Sequence, residues 1–408
     1  MRIALLSYRS KEHCGGQGVY IKYLSRGLAE LGHQVEIFSG QPYPENLDPR
    51  VRLTKVPSLD LYSREPIRPP RPGRDWDRHD WLEWATILTG CFAEPLAFST
   101  RAAHVLRSRR ADFDVVHDNQ CLGYGLLALR RQGFPLVATI HHPISRDRKV
   151  ELASVRRRRK LSVARWYGFV RMQGRVARRI PALIGVSDTA TRDVVTDFGI
   201  PAGRCQVIPL GVDTDRFRPR GERVPGRIVA VASADHPLKG IAHLLDAVAK
   251  LRVDHGVDLQ LVSTLAPGGA TERQIAQLGL GDCTTVSSAL TDEELAALMA
   301  SAQVVAVPSL YEGFSLPTVE ALACGTPVVA SRAGALPEVV GPDGECALLV
   351  RPGNVEALVA ALGRLLDSPA DREALGRAGR ARALERYSWR SVAEATVAVY
   401  RDAIGRAS

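Results

Sequence analysis

Short apolar runs rich in β-branched residues alternate with amphipathic stretches along the first half of the chain. Helical periodicity predicts helices at residues 19–31 and 188–198. The apolar runs predict strands at residues 3–7, 35–39, 115–117, 136–140 and 182–186. Strands that alternate with helices in this way are typical of parallel sheets covered by helices on both faces.

The second half repeats the alternation. Apolar runs predict strands at residues 227–232, 259–263, 304–308, 328–331 and 347–350. Amphipathic stretches predict helices at residues 240–252, 292–302, 316–323 and 355–366, and Thr291 followed by Glu294 is a capping-box signal. Two such series predict an α/β chain of two Rossmann-like domains that face a central cleft, with ligands at the carboxyl ends of the strands.

The two series meet in a segment rich in proline and glycine. Residues 207–219 hold Pro209, Gly211 and Pro219 and show no strong periodicity. We therefore predict an N-terminal domain at 1–206, a linker at 207–219, a C-terminal domain at 220–386 and a terminal helix at 387–408. The Pro-, Arg- and Trp-rich residues 57–80 show no clear period and are interpreted as an inserted loop.

Length and composition exclude several classes of protein. A length of 408 residues with 45% hydrophobic positions suits two domains of ordinary size. No apolar run of about 18 residues is present and the first apolar run is too short for a signal peptide, which favours a cytoplasmic protein. The seven cysteines are odd in number and none are paired at metal-ligand spacing, which indicates a reducing compartment and no structural metal site.

Positive charge is concentrated in one stretch. Lys and Arg exceed Asp and Glu by 54 − 44 = 10, which favours anionic partners, and residues 152–180 hold nine Arg and one Lys without an acid. Val163, Trp166, Val170 and Val176 recur there at roughly helical spacing. This basic amphipathic helix either lies on an anionic membrane or packs its apolar stripe on its own sheet, and we favour the second interpretation for the stripe.

Two motifs carry candidate chemistry. Gly15, Gly16 and Gly18 follow the first predicted strand, where small residues let the backbone approach an anion at a helix amino terminus, although a tight turn is an equal interpretation. Glu312 and Glu320 flank a segment in which Pro317 suits the first turn of a helix. Glu320 then lies among apolar helical neighbours, where an unpaired carboxylate is rare, so a hydroxyl-bearing ligand such as a ribose is a candidate partner.

The segment from Glu312 to Ala330 resembles the signature of retaining glycosyltransferases of family four, in which two glutamates are separated by seven residues. The resemblance continues through the glycine motif, residues 114–117 and 139–141, the segment 207–213 and Tyr387-Ser388-Trp389, so it covers nearly the whole chain. It implies the GT-B fold, with an acceptor-side first domain, a nucleotide-sugar-binding second domain and a terminal helix that crosses back to the first.

The resemblance also implies roles for single residues. Glu320 would hold the donor ribose, Glu312 would contact the transferred sugar, and Lys239 would neutralise the departing diphosphate. The backbone of Gly313, Phe314, Ser315 and Leu316 would bind the sugar and diphosphate. His141 would face the sugar from the first domain, with the adjacent His142 as the alternative.

One departure from the family pattern concerns the diphosphate. The family has an arginine about five residues before the lysine, whereas this chain has Ala232-Ser233-Ala234-Asp235-His236 before Lys239. His236 or an arginine from elsewhere could replace that charge. The resemblance otherwise predicts retaining, metal-independent transfer of a hexose-type sugar from a nucleotide-diphosphate donor to an acceptor hydroxyl, with no cofactor.

Several alternatives stay open at the level of sequence. A nucleotide-sugar epimerase or a sugar phosphorylase would share the architecture, and a non-catalytic sugar-nucleotide sensor would suit the missing arginine. The net charge also admits a nucleic-acid-binding protein, although no recognisable reading motif is present and we expect no nucleic-acid partner. A lipid-linked acceptor is a further expectation, with peripheral contact at the inner face of the membrane through Arg156, Arg157, Arg158, Arg159 and Lys160.

Overall fold

The computed structural model describes residues 1–10, 16–61, 71–73, 75–201 and 203–406. The chain divides into two compact units: unit 1 combines Met1–Pro209 with Val392–Ser408, and unit 2 is Leu210–Ser391. Each unit is a parallel sheet with helices, which confirms the predicted fold class. No helix among the described residues is long and apolar enough to cross a bilayer.

Within the described residues, the sheet of unit 1 has seven parallel strands in the order β3-β2-β1-β4-β5-β6-β7. The strands are β1 (Arg2–Ser7), β2 (Gln34–Ser39), β3 (Arg52–Lys55), β4 (Val115–Asn119), β5 (Leu136–Ile140), β6 (Ala182–Gly185) and β7 (Cys205–Val207). The helices before the second unit are α1 (Gly16–Glu30), α2 (Arg78–Leu88), α3 (Glu94–Leu106), α4 (Gly125–Arg131), α5 (Ile144–Ser154), α6 (Arg157–Trp166), α7 (Phe169–Ala177) and α8 (Asp188–Phe198).

The sheet of unit 2 has six parallel strands in the order β10-β9-β8-β11-β12-β13 among the residues described. The strands are β8 (Arg227–Val231), β9 (Asp258–Val262), β10 (Thr284–Ser287), β11 (Val304–Val307), β12 (Val328–Ser331) and β13 (Ala347–Val350). The helices are α9 (Ile241–Leu251), α10 (Ala270–Gln277), α11 (Asp292–Ser301), α12 (Leu316–Ala323), α13 (Leu336–Val340), α14 (Val355–Asp367), α15 (Pro369–Arg386) and α16 (Trp389–Gly405), of which α16 continues into unit 1 from Val392.

The apolar runs become the central strands because those strands are buried on both faces. Every residue of β4, β5 and β11 is buried. The strands that the sequence pattern missed, β3, β7 and β10, all lie at sheet edges. An edge strand has only one neighbour and tolerates polar side chains, so its sequence carries little strand signal.

The basic stretch forms two helices where the pattern predicted one. Helix α6 ends at Trp166 and α7 begins at Phe169, with Tyr167 and Gly168 between them. A Cβ on Gly168 would lie 2.9 Å from the carbonyl oxygen of Arg165, so this close turn requires glycine. The stripe residues Val163, Val170 and Val176 are buried. The apolar stripe therefore packs within unit 1, as the favoured interpretation predicted.

Candidate active site

Each sheet reverses its strand order beside its first strand, between β1 and β4 in unit 1 and between β8 and β11 in unit 2. Ligands of parallel α/β sheets bind at the carboxyl edge next to such a reversal, because the flanking loops diverge there. Lys239 lies in the loop after β8, and Glu312 lies in the loop after β11. In unit 2 the structure therefore brings two predicted site residues to the reversal point.

These two loops of unit 2 are fastened to each other. The Lys239 ammonium donates a hydrogen bond to Glu312 Oε1 over 2.8 Å, and Ser309 Oγ donates to the same oxygen over 2.8 Å. Gly240 has φ of +66°, and a Cβ there would lie only 2.1 Å from the carbonyl oxygen of Pro308. The glycine after the lysine is thus required for the close approach that pairs Lys239 with Glu312.

The amino end of α12 presents backbone rather than side-chain groups. Ser315, the residue before the helix, has φ of 89° and ψ of 86°, a left-handed conformation that costs free energy for a residue other than glycine, and it makes no side-chain cap. Phe314 is buried and packs edge-on against Tyr387, with ring centroids 5.7 Å apart. Helix α9 also lacks a side-chain cap after Gly240. Uncapped helix amino termini and a lysine are groups to which an anion can bind.

Glu320 lies inside α12, as predicted, and is half-buried. Its carboxyl group makes no hydrogen bond or ion pair with any other described residue. Burial raises the pKa of Glu320 to about 8, and the nearby negative charge of Asp292 adds to the effect. A carboxyl group with unused acceptor capacity in a protected position fits a ligand that brings hydroxyl donors.

In unit 1, His141 directly follows β5, and its surroundings fix its protonation. Asn119 Nδ2 donates to the carbonyl oxygen of Gln17 over 3.2 Å, so Asn119 Oδ1 faces His141 Nε2 at 2.6 Å. Because an amide oxygen only accepts, Nε2 carries the proton and Nδ1 is an acceptor. Burial lowers the pKa of His141 to about 3. His141 is therefore a neutral hydrogen-bonding group and not a cation at neutral pH.

His142 has a different environment. Its Nε2 lies 2.8 Å from Asp147 Oδ1, so it pairs with an acid of α5. Gln120 holds both histidines: its Oε1 accepts from the backbone N–H groups of His141 and His142, at 2.6 and 3.1 Å, and its Nε2 donates to the His142 carbonyl over 2.8 Å. Gln120 therefore fixes the backbone that carries the predicted histidine.

Asn119 and Gln120 are site residues that the sequence analysis missed. The available signal was the polar run Asp118-Asn119-Gln120 at the carboxyl end of the apolar strand β4. Gln120 has φ of 55°, a left-handed conformation of the kind that clusters at functional sites.

The glycine motif is only partly described. Gly15 lies outside the described residues, and Gly16 and Gly18 belong to the first turns of α1. The prediction that the motif is a loop before a helix starting at residue 19 is therefore wrong for Gly16 and Gly18. The first turn of α1 lies beside the end of β4, because the Gln17 carbonyl accepts a hydrogen bond from Asn119 Nδ2 over 3.2 Å.

The segment that replaces the family's arginine has a structural role of its own. The Asp235 carboxylate accepts hydrogen bonds from the backbone N–H groups of Ala266 and Thr271, both at 3.0 Å. Ala234, five positions before Lys239, is buried and donates its N–H to Ser263 Oγ over 3.0 Å. This segment thus organises the loop before α10 and supplies no cation; His236, the substitute named above, is exposed.

A search of the described residues finds no group of three His, Cys, Asp or Glu side chains that could hold a metal ion. Lys239 and the two helix termini are the positive groups that the geometry of unit 2 offers to an anion.

Similarity to known proteins identifies the family of this chain. Residues 14–216 match the family model Glycosyltransferase Family 4, and residues 213–382 match Glycosyl transferases group 1. An MMP alpha-(1->4)-mannosyltransferase of Mycolicibacterium hassiacum is 65% identical over 407 residues, covering 100% of this chain and 99% of that protein. This chain belongs to the family four, group 1 glycosyltransferases. It therefore transfers a sugar from a nucleotide-sugar donor, which confirms the predicted glycosyltransferase activity.

More distant relatives share the full length. A D-inositol 3-phosphate glycosyltransferase of Saccharomonospora viridis is 30% identical, covering 99% of this chain and 94% of that protein. The sucrose-phosphate synthase structure from Thermosynechococcus elongatus superposes with a TM-score of 0.75 at 25% identity, over 99% of both chains. Anabaena HepE in complex with UDP and glucose gives 0.72 at 18% identity, over 98% of this chain and 100% of that one. These neighbours confirm the GT-B fold.

Proposed function

We propose that this protein is a retaining α-(1→4)-mannosyltransferase that takes mannose from a nucleotide-diphosphate donor and needs no metal ion. The observation that carries the proposal is the 65% identity to the Mycolicibacterium hassiacum mannosyltransferase, which extends over 100% of this chain and 99% of that protein. The acceptor is then a mannose-containing glycan with a free 4-hydroxyl group.

The donor binds to unit 2 in this proposal. Glu320 accepts hydrogen bonds from the ribose hydroxyls, and Lys239 with the amino ends of α9 and α12 holds the diphosphate. As the bond from the anomeric carbon to the diphosphate breaks, negative charge grows on the leaving group and positive charge on the sugar. Donors fixed before the reaction stabilise that charge without reorganisation, which is the largest contribution in many enzymes.

The ion pair between Lys239 and Glu312 has a role in donor binding. In the free protein Glu312 holds the ammonium group at 2.8 Å. A diphosphate competes for Lys239, and its arrival frees Glu312 to accept hydrogen bonds from the sugar hydroxyls. The pair therefore keeps both side chains ordered until the donor is present.

Unit 1 holds neutral groups that can bind sugar hydroxyls. His141 offers an uncharged ring held by Asn119, and Gly16 and Gly18 lie in the first turns of α1. In this proposal the retaining reaction proceeds by front-face attack: the acceptor oxygen bonds to the anomeric carbon as the bond to the diphosphate breaks, and the leaving phosphate takes the proton of the acceptor hydroxyl.

Transfer with purified protein tests the proposal. GDP-, UDP- and ADP-α-mannose are each incubated with an α-(1→4)-mannobioside, and the product is analysed by NMR at its new anomeric carbon. The expected result is one donor that gives an α-(1→4) linkage, with Glu312→Ala as the inactive control. A β linkage would refute retention. GDP-, UDP- and ADP-α-glucose are assayed in parallel, and transfer of glucose in preference to mannose would refute the donor assignment.

We also propose contact of unit 1 with anionic lipid, which would bring a lipid-linked acceptor within reach. Arg156, Arg157, Arg158, Arg159 and Lys160 are all exposed at the start of α6. Each basic residue near such a surface contributes about 1 kcal/mol, and salt screens it. Replacing the four arginines with serine should abolish co-sedimentation with phosphatidylglycerol vesicles and leave nucleotide binding intact. Wild-type protein that ignores those vesicles at low salt would refute this contact.

A further inference from the structure

Helix α2 buries a charged side chain and exposes large apolar ones, the opposite of an ordinary surface helix. Its buried side holds His79, Ile87 and Glu83, and the Glu83 carboxylate is fully enclosed. Its outward side exposes Trp81 by 45% and Leu88 by 55%. Arg101 of the same unit neutralises the buried Glu83, but packing within the unit does not explain the exposed apolar side chains. Exposed apolar patches mark interaction sites.

Three indole rings, which we call the tryptophan platform, lie together beside this exposed side: Trp76, Trp81 and Trp84. Trp81 is exposed, and the other two rings are half-buried. The ring centroids lie 5.4, 6.3 and 5.7 Å apart, with interplanar angles of 75°, 63° and 84°. Asp77 and Asp80 form a capping box, so Trp76 and Trp81 also occupy the positions of a hydrophobic staple. A staple needs only two apolar residues, and neither the third indole nor the exposure of Trp81 is needed for it.

We propose that the tryptophan platform binds sugar rings of the acceptor glycan, several residues from its reacting end. This inference rests on the proposed function, because it takes the acceptor to be a mannose chain. The C–H face of a pyranose is apolar and flat and stacks on an indole, while its hydroxyls project sideways toward polar neighbours. Asp75, Asp77 and Arg78 are all exposed at the start of the helix, and their acceptors and donors suit such hydroxyls. Because these charges have both signs, they do not favour an anionic lipid surface, and a neutral glycan is the better occupant.

Ion pairs connect the platform to the carboxyl edge of the unit 1 sheet. Arg9, two residues beyond β1, donates to Glu94 at the start of α3 over 2.7 Å. Arg101, further along α3, pairs with both Asp80 and Glu83 of α2 at 2.6 Å. The rigid link places the platform on an element fixed to the sheet edge, so a bound chain would have a defined position relative to that edge.

The dependence of KM on acceptor length tests this proposal. Transfer is measured with a mannobioside and with an α-(1→4)-linked mannohexaoside, for wild type, Trp81→Ala, Trp84→Ala and the control Leu88→Ala. Leu88→Ala removes exposed apolar surface from the same helix without removing an indole. We expect each tryptophan variant to raise the KM for the hexaoside about tenfold, which corresponds to roughly 1.4 kcal/mol at 25 °C. The KM for the bioside and the kcat should stay near the wild-type values, as should all values for Leu88→Ala. Some loss of melting temperature is expected for the tryptophan variants, because their rings pack on one another, so the assays are run well below each variant's melting temperature.

Binding without donor separates this inference from the proposed function. Titration of wild type with the mannohexaoside should change the intrinsic tryptophan fluorescence, and Trp81→Phe should weaken that response while keeping the staple. Equal KM changes for both acceptor lengths, or no response of fluorescence to the hexaoside, would overturn the platform even if mannose transfer is confirmed. Loss of a dimer in Trp81→Ala by size-exclusion chromatography with light scattering, or loss of vesicle binding, without a change in hexaoside KM would likewise overturn it.

Discussion

Donor affinity should depend on the protonation of Glu320. Burial raises the pKa of this carboxyl group to about 8 in the free protein. Its ionised form accepts hydrogen bonds from both ribose hydroxyls, whereas the protonated form loses part of its acceptor capacity. A raised carboxyl pKa means that the binding-competent form is the minority at pH 7 and the majority at pH 9. Affinity for the donor should therefore increase with pH across this range.

The size of the effect follows from the pKa. If only the ionised form binds, the apparent dissociation constant falls about tenfold from pH 7 to pH 9 and about 100-fold from pH 6 to pH 9, since one pKa unit is equivalent to roughly 1.36 kcal/mol. Glu320→Gln cannot ionise, so its affinity should be flat with pH. At pH 9 it should bind roughly 1.5–3 kcal/mol more weakly than wild type, the usual cost of losing a hydrogen bond to a charged group.

Isothermal titration calorimetry from pH 6 to pH 9 provides the measurement. The ligand is the intact nucleotide-diphosphate sugar without acceptor, because its diphosphate diester does not titrate in this range. Glu320→Gln corrects for every other group that titrates. A flat wild-type profile would refute the assignment of Glu320 to the ribose, and so would a Glu320→Gln variant that keeps the wild-type slope.

Three further outcomes are expected. Glu312→Ala should lower turnover by at least an order of magnitude while donor affinity stays the same or tightens, because Lys239 loses its competing partner; wild-type turnover would remove Glu312 from the chemistry. Activity should survive EDTA, since Lys239 and the helix termini take the place of a divalent cation, and a strict Mg²⁺ requirement would contradict this. Tyr400→Phe should destabilise the protein by about 1–3 kcal/mol, because it leaves His117 Nδ1, now 2.6 Å from the Tyr400 hydroxyl, buried without a partner. Thermal unfolding checks this, with the exposed Tyr124→Phe as the control.

The sequence alone was enough to predict the family and much of the fold, because both depend on local patterns of residues. Strands and helices are visible in the sequence because their buried apolar side chains form characteristic patterns. Helices show a spacing of three to four residues, and strands covered on both faces show continuous apolar runs. Helix α12 and strands β5, β12 and β13 accordingly have the predicted bounds. Thr291 and Glu294 form the predicted capping box, with the Thr291 N–H donating to Glu294 over 2.8 Å. The spacing of Glu312 and Glu320 is likewise a local signal.

Contacts between residues distant in sequence required the tertiary structure. Lys239 and Glu312 are 73 positions apart and pair because β8 and β11 are neighbours where the strand order reverses. Asn119 and Gln120 gain their roles only when β4 lies beside β5. No spacing rule predicts such pairs, because sheet order is decided by how the whole core packs.

The exposed side of α2 shows the same division between sequence and structure. The tryptophans are visible in the sequence, but an apolar residue on a helix is ordinarily buried, so the pattern alone would place Trp81 inside. The structure reverses this because Arg101 neutralises Glu83 on the inner side and thereby lets a carboxylate occupy the buried position. The sequence by itself determined the fold class, the family and the acidic signature. The pairing of the site residues and the surface left for a partner were decided only by tertiary packing, because both depend on which charges meet across neighbouring elements.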